Sequence, residues 1–167
     1  MEKFQTTAEF LKKYYKGFFL LVNVMATLVL SLMLLRLSWI DFRTCRLPDV
    51  YTLPLIAAGV CLSLAGGGID LFASLVGGVV GYALFWAIGH FYFQRHKIEG
   101  LGLGDAKLFA ASGTWLGYAQ LPYVLLVASI TGLLISLALR KKSATAIAFG
   151  PWLALGFFSV WIWGIVN

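Results

Sequence analysis

The run FFLLVNVMATLVLSLMLLRLSWI, Phe18 to Ile40, ends on Asp41 and is followed at once by the polar stretch FRTCRLPD, Phe42 to Asp49. A helical crossing of a bilayer needs about 20 predominantly apolar residues, so the run predicts a transmembrane helix closed by an acid. It is too long for the apolar part of a secretory signal and lacks a small-residue cleavage site, and it is expected to stay as a helix. Five further apolar segments follow, at about 50–66, 70–93, 105–119, 121–139 and 146–166. The expected fold is all-α, a polytopic integral membrane protein with about six transmembrane helices. The fourth segment is the shortest and follows a run of glycines, which reads as a half-buried helix rather than a full crossing.

Composition supports a lipid environment. The chain of 167 residues is 60% hydrophobic, with only 13 basic and 7 acidic side chains, too few charges for the surface of a soluble domain. The net charge of +6 does not point to nucleic acid, because the basic residues fall in short clusters between apolar runs instead of on one soluble face. The expected partner is the lipid bilayer, with no nucleic acid. Cys45 and Cys61, the two cysteines, have no CxxC or CxxH spacing and read as inert thiols, so no metal site and no cofactor is expected.

Helix ends are punctuated by Pro48 and Asp49, by Gly66 to Gly68 and by Pro122. Residues 1–17 form a tail of alternating aromatic and charged residues, expected to lie in the interface or to be flexible, ahead of a six-helix membrane domain at 18–167. Gly77 to Gly81 and Gly113 to Gly117 have the small-xxx-small spacing that lets membrane helices approach closely.

Nine of the 13 Lys and Arg residues fall at the loops after segments one, three and five, and four in the N-terminal tail. Cytoplasmic loops are enriched in Lys and Arg, so the odd-numbered loops are expected in the cytoplasm. Two complete crossings separate Asp41, which ends the first segment, from Asp105, which begins the fourth. They return the chain to the same face, where the two carboxylates can meet.

The acids are Glu2, Glu9, Asp41, Asp49, Asp70, Glu99 and Asp105. An ionisable group at the hydrocarbon boundary is costly and marks a functional candidate, and Asp41 and Asp105 are the two that abut apolar segments on one face. Two carboxyls forced together cannot both ionise cheaply, so one keeps its proton and the pair supplies an acid and a base. Asp49, after Pro48 at a helix start, is expected to cap that helix. Gly102 and Gly104, beside Asp105, have no Cβ atoms and let the backbone approach an extended substrate. The surrounding GLGLGD run, Gly100 to Asp105, follows a basic loop instead of a strand, which argues against a dinucleotide fold. Lys107 is expected to anchor the cytoplasmic end of the fourth segment, and His90 and His96 are expected to snorkel or to lie in a loop.

Three stretches taken together, DFRTCRLPD at Asp41 to Asp49, GLGDAKL at Gly102 to Leu108 and FGPWLALG at Phe149 to Gly156, resemble the type IV prepilin peptidase family, a GxGD aspartyl protease group, in order and spacing. The resemblance implies that Asp41 and Asp105 are the catalytic pair, in agreement with the choice made from cost and topology. Pro48, Asp49, Gly102, Gly104 and Lys107, with Gly150 and Pro151, would then bind substrate or shape the site. It further implies an intramembrane endopeptidase of the inner membrane that removes the leaders of type IV prepilins or type II secretion pseudopilins, cutting after a glycine at the cytoplasmic face. Many members carry two CxxC pairs associated with N-methylation. This sequence has no CxxC, so peptidase activity without methyltransferase activity is expected.

The competing expectation is a small proton- or cation-coupled transporter component. It would want acids distributed at depth, and segments two, three, five and six hold none inside them.

Overall fold

The computed structural model describes residues 2–66, 69–96, 102–139 and 148–166. These form six α-helices, α1 (Glu2–Thr44), α2 (Asp49–Leu64), α3 (Leu71–His96), α4 (Leu103–Leu116), α5 (Leu121–Leu139) and α6 (Gly150–Val166), with a single 3-10 turn at Tyr118–Gln120 before α5. No strand occurs among the described residues. The expected all-α architecture is therefore found, with helix ends within a few residues of the apolar segments except at the start of α1.

Leu20–Thr44, Leu71–Arg95 and Tyr118–Ala138 are long and apolar enough to cross a membrane. Their outward faces carry large apolar side chains, Leu32 and Leu35 on α1, Val79 on α3 and Leu137 on α5 all being exposed. A soluble protein rarely exposes so continuous an apolar surface, whereas lipid accommodates it without cost. The helices α2 and α6 are apolar but shorter, at 16 and 17 residues.

Helix α4 obeys a different rule. Its 14 residues span about 21 Å at 1.5 Å per residue, less than the roughly 30 Å hydrocarbon core. It is enclosed by α2, α3, α5 and α6, and Ala106 and every residue from Leu108 to Trp115 are buried. The helix thus meets protein on all sides and need not satisfy a lipid-facing length or composition. Its hydroxyls are internally paired: Ser112 and Thr114 donate to the Phe109 and Ala111 carbonyls, and Ser74 of α3 donates to the Thr114 carbonyl at 2.7 Å.

Glycine contacts set the spacing around α4. A Cβ at Gly77 or at Gly113 would strike the other's backbone, and one at Gly81 would lie 2.9 Å from the Phe109 carbonyl oxygen. Backbone therefore packs on backbone between α3 and α4, which replaces the missing hydrophobic drive between membrane helices with close van der Waals contact. On the other side Gly59 of α2 leaves room for Thr114 and Trp115, and the Trp115 indole donates to the Leu55 carbonyl at 2.8 Å. Gly117 is buried beside Ala73 and Ile69, and it has a second task beyond the packing that its spacing from Gly113 suggests. It adopts φ +79°, a conformation open mainly to glycine, and ends α4.

The close approach makes a contrast available. Gly113→Ala is expected to lower stability by about 1–3 kcal/mol through overpacking. Gly164→Ala, where no atom lies within 4 Å of the added Cβ, is expected to be neutral or to gain up to about 1 kcal/mol of helix propensity. Thermal unfolding of the purified variants in detergent measures both.

Candidate active site

The end of α1 and the starts of α2, α4 and α6 converge at one end of the bundle. Helix α1 closes at Thr44, and Cys45 turns the chain with φ +49° while its N–H bonds to the Asp41 carbonyl at 2.8 Å. Leu47 then drops into the core at 8% exposure, and Pro48, with φ −74° and ψ 139°, caps α2. Two other helix starts abut Leu47. A Cβ at Gly104 would lie 2.7 Å from the Leu47 Cβ, and one at Gly150 would lie 3.3 Å from the Leu47 Cδ1. Leu47 is thus the post against which the first turns of α4 and α6 rest.

This convergence brings the two acids to one cavity of about 540 Å³. Asp41 is 4% exposed, and its Oδ2 accepts the Gly150 N–H at 3.0 Å. The donor is the first residue of α6, where unpaired amides and the helix dipole favour a carboxylate. A Cβ on residue 150 would fall 2.6 Å from that same oxygen, so only glycine lets the amide come so near. Asp105, partly buried in the first turn of α4, lines the same cavity as Asp41.

The sequence-derived site residues divide into groups. Asp41, Asp49, Gly102, Gly104, Asp105 and Lys107 line the cavity. Gly150 stands behind Asp41, Pro151 is buried in the next position of α6, and Pro48 shapes the α1–α2 turn. The two glycines before Asp105 differ: Gly104 is pressed on Leu47, whereas Gly102 is exposed, with φ −71° and ψ 138° that any residue adopts.

Two sequence expectations need correction. Pro48, not Asp49, is the cap residue of α2. The Asp49 carboxylate is instead paired with Lys107, Nζ to Oδ1 at 2.5 Å, so that Lys107 ties the starts of α2 and α4 together. His90 is neither a loop residue nor at a helix end. It lines the cavity from α3, with its ring stacked on Trp86 at 5.2 Å.

The α3 wall, made by Phe85, Trp86, Gly89, His90 and Phe93, was not anticipated from the sequence. In a segment apolar from end to end, a row facing a cavity carries the same residue types as a row facing lipid. A four-residue spacing of aromatics around a glycine is the one signal that could have marked it. Cys45 and Cys61 are free. Among the described residues no three His, Cys, Asp or Glu side chains come together in an arrangement that could hold a metal.

Residues 28–137 match the sequence pattern of the type IV leader peptidase family. The chain belongs to that family. The matched stretch holds both Asp41 and Asp105, and it ends before Gly150. The chain is 48% identical to the prepilin leader peptidase/N-methyltransferase of Escherichia coli (strain K12) over 126 residues, 73% of this chain and 56% of that protein. It is 36% identical to the protein of the same description from Aeromonas hydrophila, over 85% of this chain and 50% of that one. For the one from Neisseria gonorrhoeae the figures are 37% identity, 84% of this chain and 51% of the relative. The chain therefore spans about half the length of the curated relatives it matches. No solved structure matches it significantly.

The unequal glycines give a paired test within this leader peptidase fold. Gly104→Ala is expected to cost about 1–3 kcal/mol by forcing α4 off Leu47, and Gly102→Ala to stay within about 0.5 kcal/mol of the parent. Both are read from thermal unfolding in detergent.

Proposed function

We propose that this chain is an intramembrane aspartyl endopeptidase that removes the leader peptides of type IV prepilins or type II secretion pseudopilins. The observation that carries the reading is the placement of Asp41 and Asp105 in one cavity at one end of the bundle, in a chain of the leader peptidase family.

The chemistry follows from the pair. One carboxyl holds the shared proton while the other is ionised. The ionised partner takes a proton from a water as its oxygen bonds to the peptide carbonyl carbon, and the protonated partner hydrogen-bonds the developing oxyanion. Collapse of the tetrahedral intermediate breaks the C–N bond, with a proton delivered to the departing amine. Nothing is oxidised or reduced, and water is the only co-reactant.

Each neighbouring group has a task in this scheme. The Gly150 N–H fixes the rotation of the Asp41 carboxyl. The exposed backbone at Gly102 gives an extended peptide an edge to follow into the cavity. The Lys107–Asp49 pair closes the α2 side, and being partly exposed it contributes little to stability. The substrate is a short basic leader joined to an apolar helix, cut after a glycine. A cytoplasmic orientation of the cavity end, in the inner membrane, is supported by the nine Lys and Arg residues at the odd-numbered loops against four in the tail. The transporter reading gains no support from the geometry, since the acids lining the cavity, Asp41, Asp49 and Asp105, cluster at one end of the bundle, with no relay through its depth among the described residues.

Co-expression with a prepilin tests the assignment. Asp41→Asn and Asp105→Asn keep side-chain size but cannot exchange the proton, and each is expected to abolish leader removal, seen as a gel shift, while the protein still accumulates in the membrane. Normal processing by either variant refutes the assignment.

Gly150→Ala is a subtler change. The new methyl displaces the Asp41 carboxyl, and a misplacement near 1 Å is expected to slow cleavage about 100-fold. The initial rate on a synthetic leader peptide, measured with the purified variant, checks this.

A further inference from the structure

The outer side of α1 carries two charges that have no task in the scheme above. Leu30, Leu34, Leu37 and Asp41 are buried and mark the side of α1 that faces the bundle. At about 100° per residue, Arg36 and Arg43 both point roughly 130° or more away from that side, and both are exposed. They are seven residues apart and so lie within about 20° of one line along the helix. Trp39 stands between them on the same outer side, 57% exposed.

Arg36 is the costly member. It belongs to the span Leu20–Thr44 and lies five residues before Asp41, about 7.5 Å further from the cavity end of the helix. A charged side chain at such a depth faces the bundle interior or a charge partner as a rule. Arg36 faces outward, and the described acids stand elsewhere. Asp41 and Asp105 line the cavity, Asp49 is paired with Lys107, and Asp70 precedes α3 at the opposite end of the bundle. Glu2 and Glu9 are in the far part of α1, about 40 Å or more along the helix. Among the described residues, therefore, no carboxylate meets Arg36.

Arg43 is held in place. Its guanidinium carbon lies 4.6 Å from the centroid of the Trp39 ring, a cation–π contact that turns the charge back along the helix toward Arg36. The two Cα atoms are about 10 Å apart, and an arginine in a membrane helix extends its long stem toward the interface. Both guanidinium groups can thus reach one space at the level of Trp39, a residue type that marks the headgroup region. Arg46, the next basic residue, lines the cavity instead. On the other side of Arg36 the stripe continues as Leu32, Leu28 and Met25, all exposed.

We propose that Arg36, Trp39 and Arg43 form the headgroup site of one anionic phospholipid in the leaflet at the cavity end, with its acyl chains along Leu32, Leu28 and Met25. The inference goes beyond the peptidase reading and stands without it. Charge complementarity selects the occupant. Guanidinium groups bind phosphate through paired N–H···O bonds, and here two of them have no protein carboxylate to balance them. A phosphate under a neutral headgroup, as in phosphatidylglycerol, brings the missing negative charge. A headgroup with its own ammonium, as in phosphatidylethanolamine, brings a cation toward two cations. The apolar stripe favours a phosphate that carries acyl chains over one that is free in water.

The test measures lipid binding to the intact protein. The full chain is purified in detergent as wild type, Arg36→Gln, Arg43→Gln and Arg95→Gln. Native mass spectrometry then gives the Kd of the first lipid bound, for phosphatidylglycerol and for phosphatidylethanolamine with the same acyl chains. Arg95 is the control, because it ends α3 at the same end of the bundle and lies 5.6 Å from the Phe91 ring centroid, yet its helix holds no second arginine. Wild type is expected to bind phosphatidylglycerol about tenfold more tightly than phosphatidylethanolamine. Arg36→Gln and Arg43→Gln are each expected to weaken phosphatidylglycerol about tenfold and to leave phosphatidylethanolamine within about twofold. Arg95→Gln is expected to leave both within about twofold. All three substituted side chains are exposed, and Arg43→Gln alone decides if Arg36→Gln does not accumulate. Equal affinity of wild type for the two lipids, an equal loss in Arg95→Gln, or displacement of the bound lipid by inorganic phosphate overturns the site. Each of these outcomes leaves the peptidase reading standing, since none of the three arginines lines the cavity.

Discussion

Backbone contact between α3 and α4 is the constraint from which the rest of the molecule follows. In lipid there is no hydrophobic gain from bringing two apolar helices together, so a short helix with an acid at its start and hydroxyls along its length would have nothing to hold it. Gly77, Gly81 and Gly113 supply the hold by letting main chain meet main chain. Once α4 is enclosed, its polar residues face protein groups, its length no longer has to match the bilayer, and its first turn delivers Asp105 to the cavity that Asp41 also lines.

A second constraint acts at the cavity end. Leu47, the one apolar side chain of the α1–α2 turn that reaches the core, touches the first turns of α4 and α6. The site is built from helix starts gathered round this residue, and helix starts are where a membrane protein can offer free amides without exposing them to hydrocarbon. Asp41 illustrates the result. It is a nearly inaccessible carboxylate whose burial is offset by an amide that the adjoining helix could not have used internally.

Much of this was legible in the sequence because charge is so scarce there. With 7 acids in 167 residues, the two that adjoin apolar segments on one face stand out, and counting crossings places them together without any structure. The fold class was equally plain, since apolar runs of spanning length have few other uses. What could not be read is which side of an apolar helix faces what. Phe85, Gly89 and Phe93 look like any lipid-facing residues, and their meeting with the acids depends on rotations of α3 that hydropathy does not encode. The roles of Asp49 and Lys107 were hidden for a different reason. Their pairing joins positions 58 residues apart, and a local capping rule could not anticipate that competition. Gly117 was legible only in part: its spacing suggested the packing that it makes beside Ala73, but not the positive φ with which it ends α4.

The amide that steadies Asp41 comes from a residue 109 positions later in the chain. During membrane insertion the first helix is made early, and its terminal acid waits without that donor while four further helices are threaded in. The pair of acids can coexist before then, but the carboxyl's final orientation arrives only with the first turn of α6. Completion of the site is in this way coupled to the order of synthesis, and a nascent chain halted in α5 would hold both acids in a bundle whose first carboxylate still lacks its donor.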